Sequence, residues 1–308
     1  MAQTIKVAAP GSIANLVCGF DVLGLSLNTP YDVMEVSLLD KPEVIIKSAD
    51  GYPLPSDPAQ NTAGAPLLEM IKTLDDKVGF DVVIHKHIKP GSGVGSSAAS
   101  AAGAVVAANI LLDNKFSKEE LVQFAMFGEK VASGVKHADN IAPCIYGGVT
   151  LIRSINPLDI IPLPAPDLFV TLVHPQIEVR TSDARAILKQ QILLKDAIKQ
   201  WGNVAGLVAG ILKNDAELIG RSLEDHLIEP VRSILIPGFS ELKAKCKAVG
   251  ALGGGISGSG PSVFMVSNEE ATAKKIEHVM QDLYSELGID YHTYVTTINK
   301  EGVKTIDN

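Results

Sequence analysis

The chain has 308 residues, enough to bury a sizeable core in two domains or one large one. Hydrophobic residues make up 46% and charged residues 20%, which excludes disorder for the bulk of the chain. With 27 basic against 35 acidic residues the formal charge is −8, so the molecule as a whole attracts neither nucleic acid nor an anionic membrane, and an anionic ligand must be held locally.

The opening MAQTIKVAAPGSIANL has one lysine and no long apolar core, so it does not read as a signal peptide. Short β-type runs follow one another at Ile5–Ala8, Val33–Leu38 and Val44–Lys47. GYPLPSDPAQN (51–61) carries three prolines and reads as a loop, before a helix over 65–74. Phe80–His87 alternates as a strand. Ser96–Leu112 reads as an alanine-rich helix, its apolar run too short for the roughly 20 residues of a membrane span. Ser117 and Glu120 have capping-box spacing, which predicts a helix running to about Ala132.

Tyr146–Arg153 reads as a strand, and the four prolines of 156–166 place a domain boundary, dividing the chain into 1–160 and 161–308. The second half offers a strand at Leu168–Val173 and helices near 181–200, 204–213 and 239–249. A second glycine-rich loop (250–261), a strand at 262–266, a helix over 269–287 and a strand at 291–298 follow. Strands and helices mix with few plain βαβ units, which favours α+β. The three cysteines, Cys18, Cys144 and Cys246, have no metal-type spacing and fit a reducing, cytoplasmic setting.

The loop between the strand at 80–87 and the alanine-rich helix reads Pro90, Gly91, Ser92, Gly93, Val94, Gly95, Ser96, Ser97, then Ala98 and Ala99. Glycines let backbone approach a ligand closely, and a helix N-terminus attracts anions. The implied chemistry is phosphate cradling, with one of the two serines available to magnesium. A Walker A loop is excluded because no lysine follows the last glycine, and Asp113 follows a helix where a dinucleotide fingerprint needs a strand. The bland alternative is an ordinary strand-to-helix turn.

On the capped helix Leu121, Val122, Ala125 and Ala132 share a face, and Glu129 lies in the middle of it. A carboxylate facing a core needs a cation. It is a buried salt bridge or a helix-end acid at a cleft, or else a magnesium ligand paired with a serine of the glycine loop. His137-Ala138-Asp139-Asn140 could read a small polar ligand or cap a turn.

Taken together, APGSIANLVCGFDVLGLSL (9–27), KPGSGVGSSAAS (89–100), Glu129 with HADN (137–140), RTSDAR (180–185), DHLIEPVRSILIPG (225–238) and GALGGGISGSGPSVF (250–264) resemble, in order, the GHMP kinase superfamily and its homoserine kinase family. The resemblance implies a two-domain α+β fold, an N-terminal ribosomal-protein-like α/β domain and a C-terminal ferredoxin-like domain. It implies ATP-dependent phosphorylation of L-homoserine on the route to threonine, and a homodimer.

By the same resemblance Arg185, Arg232 and His137 hold the substrate carboxylate, Asp21 its ammonium, and Asn15 and Asn140 orient its hydroxyl. Asn61 lies where adenine contacts come from, and Thr181 lies by the site or caps its helix. Mg2+ on Ser97 and Glu129 would bridge the phosphates of ATP, with no dedicated base; Asp139 is the residue placed to act as one. Val17-Cys18-Gly19 replaces the usual Gly-Pro-Gly, which puts Cys18 at the expected edge of the substrate pocket.

Overall fold

The computed structural model of the chain describes residues 3–74, 77–179 and 181–307, without the side chains of residues 181 and 182. Strands β1 (Thr4–Ala14) and β2 (Leu23–Leu39) form a long antiparallel pair, with Val7 opposite Met34. Both outrun the short apolar runs that announce them. β1 passes through Pro10 and Gly11 at a register shift, and β2 passes through Pro30. Breaker residues are tolerated at such irregularities, where a ladder bond is already missing.

The chain continues through β3 (Val44–Gly51), α1 (Gly64–Ile71) and β4 (Gly79–Lys86), then α2 (Ser96–Leu111) and α3 (Lys118–Ser133). The expected capping box forms at α3: Glu120 N donates to Ser117 Oγ, and Ser117 N donates to Glu120 Oε2. The next helix, α4 (Ile141–Tyr146), is one the sequence did not announce; it absorbs Tyr146, so β5 begins only at Val149 and ends at Ile155. The proline-rich 156–166 stretch carries β6 (Leu158–Leu163), paired antiparallel with β5. Pro162 sits in that outer strand, where a lost N–H is tolerated.

The second half opens with β7 (Phe169–Pro175) and α5 (Thr181–Ala186). Helix α6 (Leu194–Lys213) is continuous where two helices were expected; Gly202 lies on its exposed side and does not break it. There follow α7 (Ala216–Ser222), α8 (Glu229–Arg232), α9 (Phe239–Ala248), β8 (Gly253–Ile256), β9 (Val263–Ser267), α10 (Glu270–Glu286), β10 (Tyr291–Thr297) and β11 (Lys304–Thr305). β8 thus takes part of what read as an uninterrupted glycine loop.

Two sheets result. One has seven strands in the order β11-β1-β2-β4-β3, with β5 on β2 and β6 on β5; the other is antiparallel, β10-β7-β9-β8. The first sheet packs Met34, Val36, Phe80 and Val82 against Ala101, Ala104, Ala108 and Val122 of the helices. Alanines let α2 lie close: a Cβ on Gly103 would stand 2.9 Å from that of Ala9. A second cluster, with Leu23, Leu25, Leu172, Leu207 and Phe264, joins the two sheets. The architecture is the α+β one expected. Among the described residues no helix is long and apolar enough to cross a membrane.

Candidate active site

The glycine loop leaves β4 and enters α2. Gly91, Gly93 and Gly95 have φ of 75°, 80° and 64°, a region that side chains disfavour. A Cβ on Gly93 would stand 2.6 Å from the Gly260 carbonyl oxygen. The second glycine loop therefore packs directly on the first. Ser257 Oγ donates to the Gly93 carbonyl and Ser262 Oγ to that of Ser92, both at 2.6 Å. No side-chain cap closes α2, so its first N–H groups remain open to an anion. Ser96 is turned inward, its Oγ donating to the Ile88 carbonyl at 2.8 Å. Ser97 is the serine at the open side.

Beneath the loop lies a buried ion pair. Lys86 is 1% exposed and Asp32 0%. The Lys86 ammonium donates to Asp32 Oδ2, to the Ser96 carbonyl at 2.7 Å and to Ser100 Oγ at 2.9 Å. Asp32 Oδ1 accepts from the N–H groups of His87 and Ile88. The pair thus grips the strand that enters the loop and the helix that leaves it. Burial pulls the Lys86 pKa below the usual lysine value, and Asp32 opposes that.

Ser97 Oγ donates to Glu129 Oε2 at 3.0 Å. The apolar stripe of α3 is buried at Leu121, Val122 and Ala125, but Ala132 is exposed, so Glu129 stands where the stripe leaves the core rather than in its middle. Burial raises the Glu129 pKa, with the Ser97 hydroxyl working the other way. A hydroxyl and a carboxylate oxygen side by side are hard donors that suit Mg2+, which takes its remaining ligands from phosphate and water.

Asp21 lies across from them. Nη2 of Arg185, on α5, reaches both its carboxylate oxygens, at 2.8 and 2.9 Å, and His137 Nδ1 lies 3.7 Å from Oδ1. Residues expected to bind opposite ends of one ligand are thus paired with each other. Burial lowers the His137 pKa, Asp21 opposes this, and Arg185 adds to it. Asn15 works as a clamp: its Oδ1 accepts from Asp21 N at 3.0 Å and its Nδ2 donates to the Gly258 carbonyl at 2.8 Å. Asn15, Leu16 and Val17 run at φ of 72°, 41° and 64°, a strained turn for which valine is poorly suited. Arg232, buried at the end of α8, donates Nε to the Ala184 carbonyl and Nη1 to that of Gly258. The Gly258 carbonyl therefore serves both Asn15 and Arg232. Asn140 Oδ1 accepts from Ser12 Oγ at 2.9 Å, just under Gly95. The side chain of Thr181 lies outside the described residues.

Asp139 is buried, and its pKa is pushed up to about 7, by burial first and then by Asp21 and Glu129. The folded chain therefore holds a proton that the unfolded chain releases. That stability is complete below the ordinary carboxylate range and is lost as pH rises through 7. Asp139→Asn is expected to raise the melting temperature by roughly 5 °C at pH 8 and to leave it unchanged near pH 4. Equal shifts at both pH values would contradict this.

One expected residue has a further task, and one expectation is revised. Asn61 is buried and its amide is hydrogen-bonded: Nδ2 donates to the Pro55 carbonyl, and Oδ1 accepts from the N–H groups of Ala63 and Gly64. It shapes the entry to α1. Cys18 is turned into the core and burial pushes its thiol up to about 12; Val17, not Cys18, lines the cavity beside Asn15 and Arg232. Phe20, Ser257, Ser262 and the Lys86–Asp32 pair escaped the sequence reading.

A glycine cradle at a helix N-terminus, with a hydroxyl–carboxylate pair beside it and a second glycine loop behind it, defines a class of phosphotransferase. The GHMP kinases N terminal domain family matches residues 65–148, and the GHMP kinases C terminal family matches residues 207–286. The chain belongs to the GHMP kinases. It is 45% identical to a homoserine kinase of Chloroherpeton thalassium, over 97% of this chain and 98% of that protein, and 44% identical to one of Chlorobium phaeobacteroides, over 99% and 100%. A crystal structure of homoserine kinase from Cytophaga hutchinsonii superposes with a TM-score of 0.94 at 48% identity, covering 99% of this chain and 98% of that one. Within the GHMP kinases, the chain is a member of the homoserine kinase family.

Proposed function

We infer that the chain transfers the γ-phosphoryl group of ATP to the hydroxyl of L-homoserine, giving O-phospho-L-homoserine. The observation that carries this reading is the gathering of Asp21, His137, Arg185 and Arg232, from both halves of the chain, at one charged cluster. A zwitterion brings one charge of each sign. Arg185 and Arg232 take its carboxylate, a planar fork suited to two oxygens, and Asp21 takes its ammonium. The Asp21–Arg185 pair thereby exchanges part of its mutual attraction for the ligand's two charges. Asn15 and Asn140 orient the hydroxyl toward the glycine loop.

Residues 1–160 form the nucleotide-binding half in this reading and 161–308 the other. Ser97 and Glu129 would hold Mg2+, which supplies charge neutralisation on the phosphates. The N–H groups at the start of α2 face the remaining negative charge. Phosphoryl transfer depends on alignment and electrostatics more than on covalent help, so no dedicated base is required. The family resemblance also supports a cytoplasmic homodimer; light scattering that gives a single-chain mass would count against it.

A panel of homoserine, mevalonate and sugars, read by ATP consumption, tests the assignment. Turnover of mevalonate or a sugar without turnover of homoserine overturns it. Arg185→Ala is expected to raise KM for homoserine at least about tenfold and to leave KM for ATP nearly unchanged. Equal weakening of both ligands would refute that placement.

A further inference from the structure

Two guanidiniums repel, yet those of Arg185 and Arg232 meet at one aromatic ring. The guanidinium carbon of Arg232 lies 5.0 Å from the Phe20 ring centroid, and that of Arg185 lies 5.3 Å away. Both are inside the roughly 6 Å over which a ring's quadrupole attracts a cation. The two cations feel each other: after burial, the charge of Arg185 is the next cause that weakens proton binding by Arg232. Hydrogen bonding draws them near without pairing them, because Ala184, which accepts from Arg232, directly precedes Arg185. Arg185 pairs with Asp21, whereas Arg232 donates to the neutral carbonyls of Ala184 and Gly258. Phe20 lines the same cavity as Asn15 and Arg232 and directly precedes Asp21, whose φ of 61° fixes a sharp turn. The ring is therefore held by the clamped segment that also presents the acid.

We propose that Phe20 is a positioning residue, whose ring face holds the Arg185 and Arg232 side chains side by side so that both engage one carboxylate. The proposal rests on the reading that these arginines take the carboxylate of the substrate. It assigns the first motif a task besides supplying Asp21. Phe20 sets the spacing of two cations that come from α5 and α8. An aliphatic side chain of similar bulk would fill the same space without offering them a negative face.

Steady-state kinetics of Phe20→Leu, Phe20→Tyr and Phe20→Trp test it. Leucine is expected to raise KM for homoserine about tenfold, with kcat and KM for ATP within about threefold of the parent chain. At least one of the tyrosine and tryptophan variants stays within about threefold for homoserine. Phe20→Met substitutes for the leucine variant should that one fail to fold, as read by its melting curve. An unchanged KM for homoserine in the aliphatic variant overturns the proposal. So does an equal rise in the aliphatic and both aromatic variants, which would make bulk the cause. If the parent chain does not turn over homoserine, the functional reading itself fails, and this proposal with it.

Discussion

Glu129→Gln is expected to lower kcat at least about 100-fold while the melting temperature holds or rises. The two halves of that expectation have one cause. Burial raises the Glu129 pKa, so the fold gains nothing from the charge and tolerates a neutral amide of the same shape. The Ser97 hydroxyl, 3.0 Å from Oε2, still finds an acceptor in the amide oxygen. What glutamine cannot supply is a full negative charge toward a divalent cation. Paired measurements of kcat and thermal unfolding separate these effects. Unchanged turnover would remove Glu129 from the magnesium assignment, and a collapsed fold would show that the carboxylate has a structural partner the geometry does not reveal.

The second large effect is expected at Lys86. Lys86→Met should cost about 3–5 kcal/mol of stability, because Asp32 would be left charged, fully buried and without its cation. Replacing both partners by apolar residues, as in Asp32→Leu with Lys86→Met, is expected to recover much of that loss, since two buried charges cost nearly as much desolvation as their attraction returns. Urea unfolding of the single and double variants reads the difference. Methionine alone as stable as the parent chain would mean that the pair does not carry the weight its burial suggests. The site should respond in the same direction, with KM for ATP raised in the single variant. The ammonium grips Ser96 and Ser100, and Asp32 the N–H groups of His87 and Ile88, at the two ends of the glycine loop.

Local chemistry was readable from the chain alone. The α3 capping box needs only Ser117 and Glu120 three positions apart, and it formed as expected. The glycine loop and the start of α2 were equally plain, because glycine spacing and alanine content are properties of one segment. Contacts across long separations were not readable in that way. Ser257 and Ser262 reach the loop from more than 160 residues away, and nothing in the loop itself announces them. The helix-entry role of Asn61 was not foreseen, because an amide after a proline-rich loop serves a ligand and a helix start equally well. Lys86 was detectable in principle. It follows Phe80, Val82 and Ile84 at the strand period of two, and all four side chains are buried. A lysine on the inward face of a strand requires a buried acid, and that rule would have sent the search to Asp32. The strain at Val17 carried a weaker signal, visible only as valine where the family resemblance leads one to expect glycine.

One pairing bears on how the molecule comes to be made. Val7 and Ala8 of β1 bond to Thr305 and Lys304 of β11, and Leu27 bridges to Ile298. During synthesis, therefore, the Val7–Ala8 stretch of β1 stays bare until Lys304 and Thr305 have emerged from the ribosome and docked. A bare flank of that kind invites pairing with neighbouring nascent chains. Docking of β11 on β1 is thus a safeguard against aggregation of the first strands.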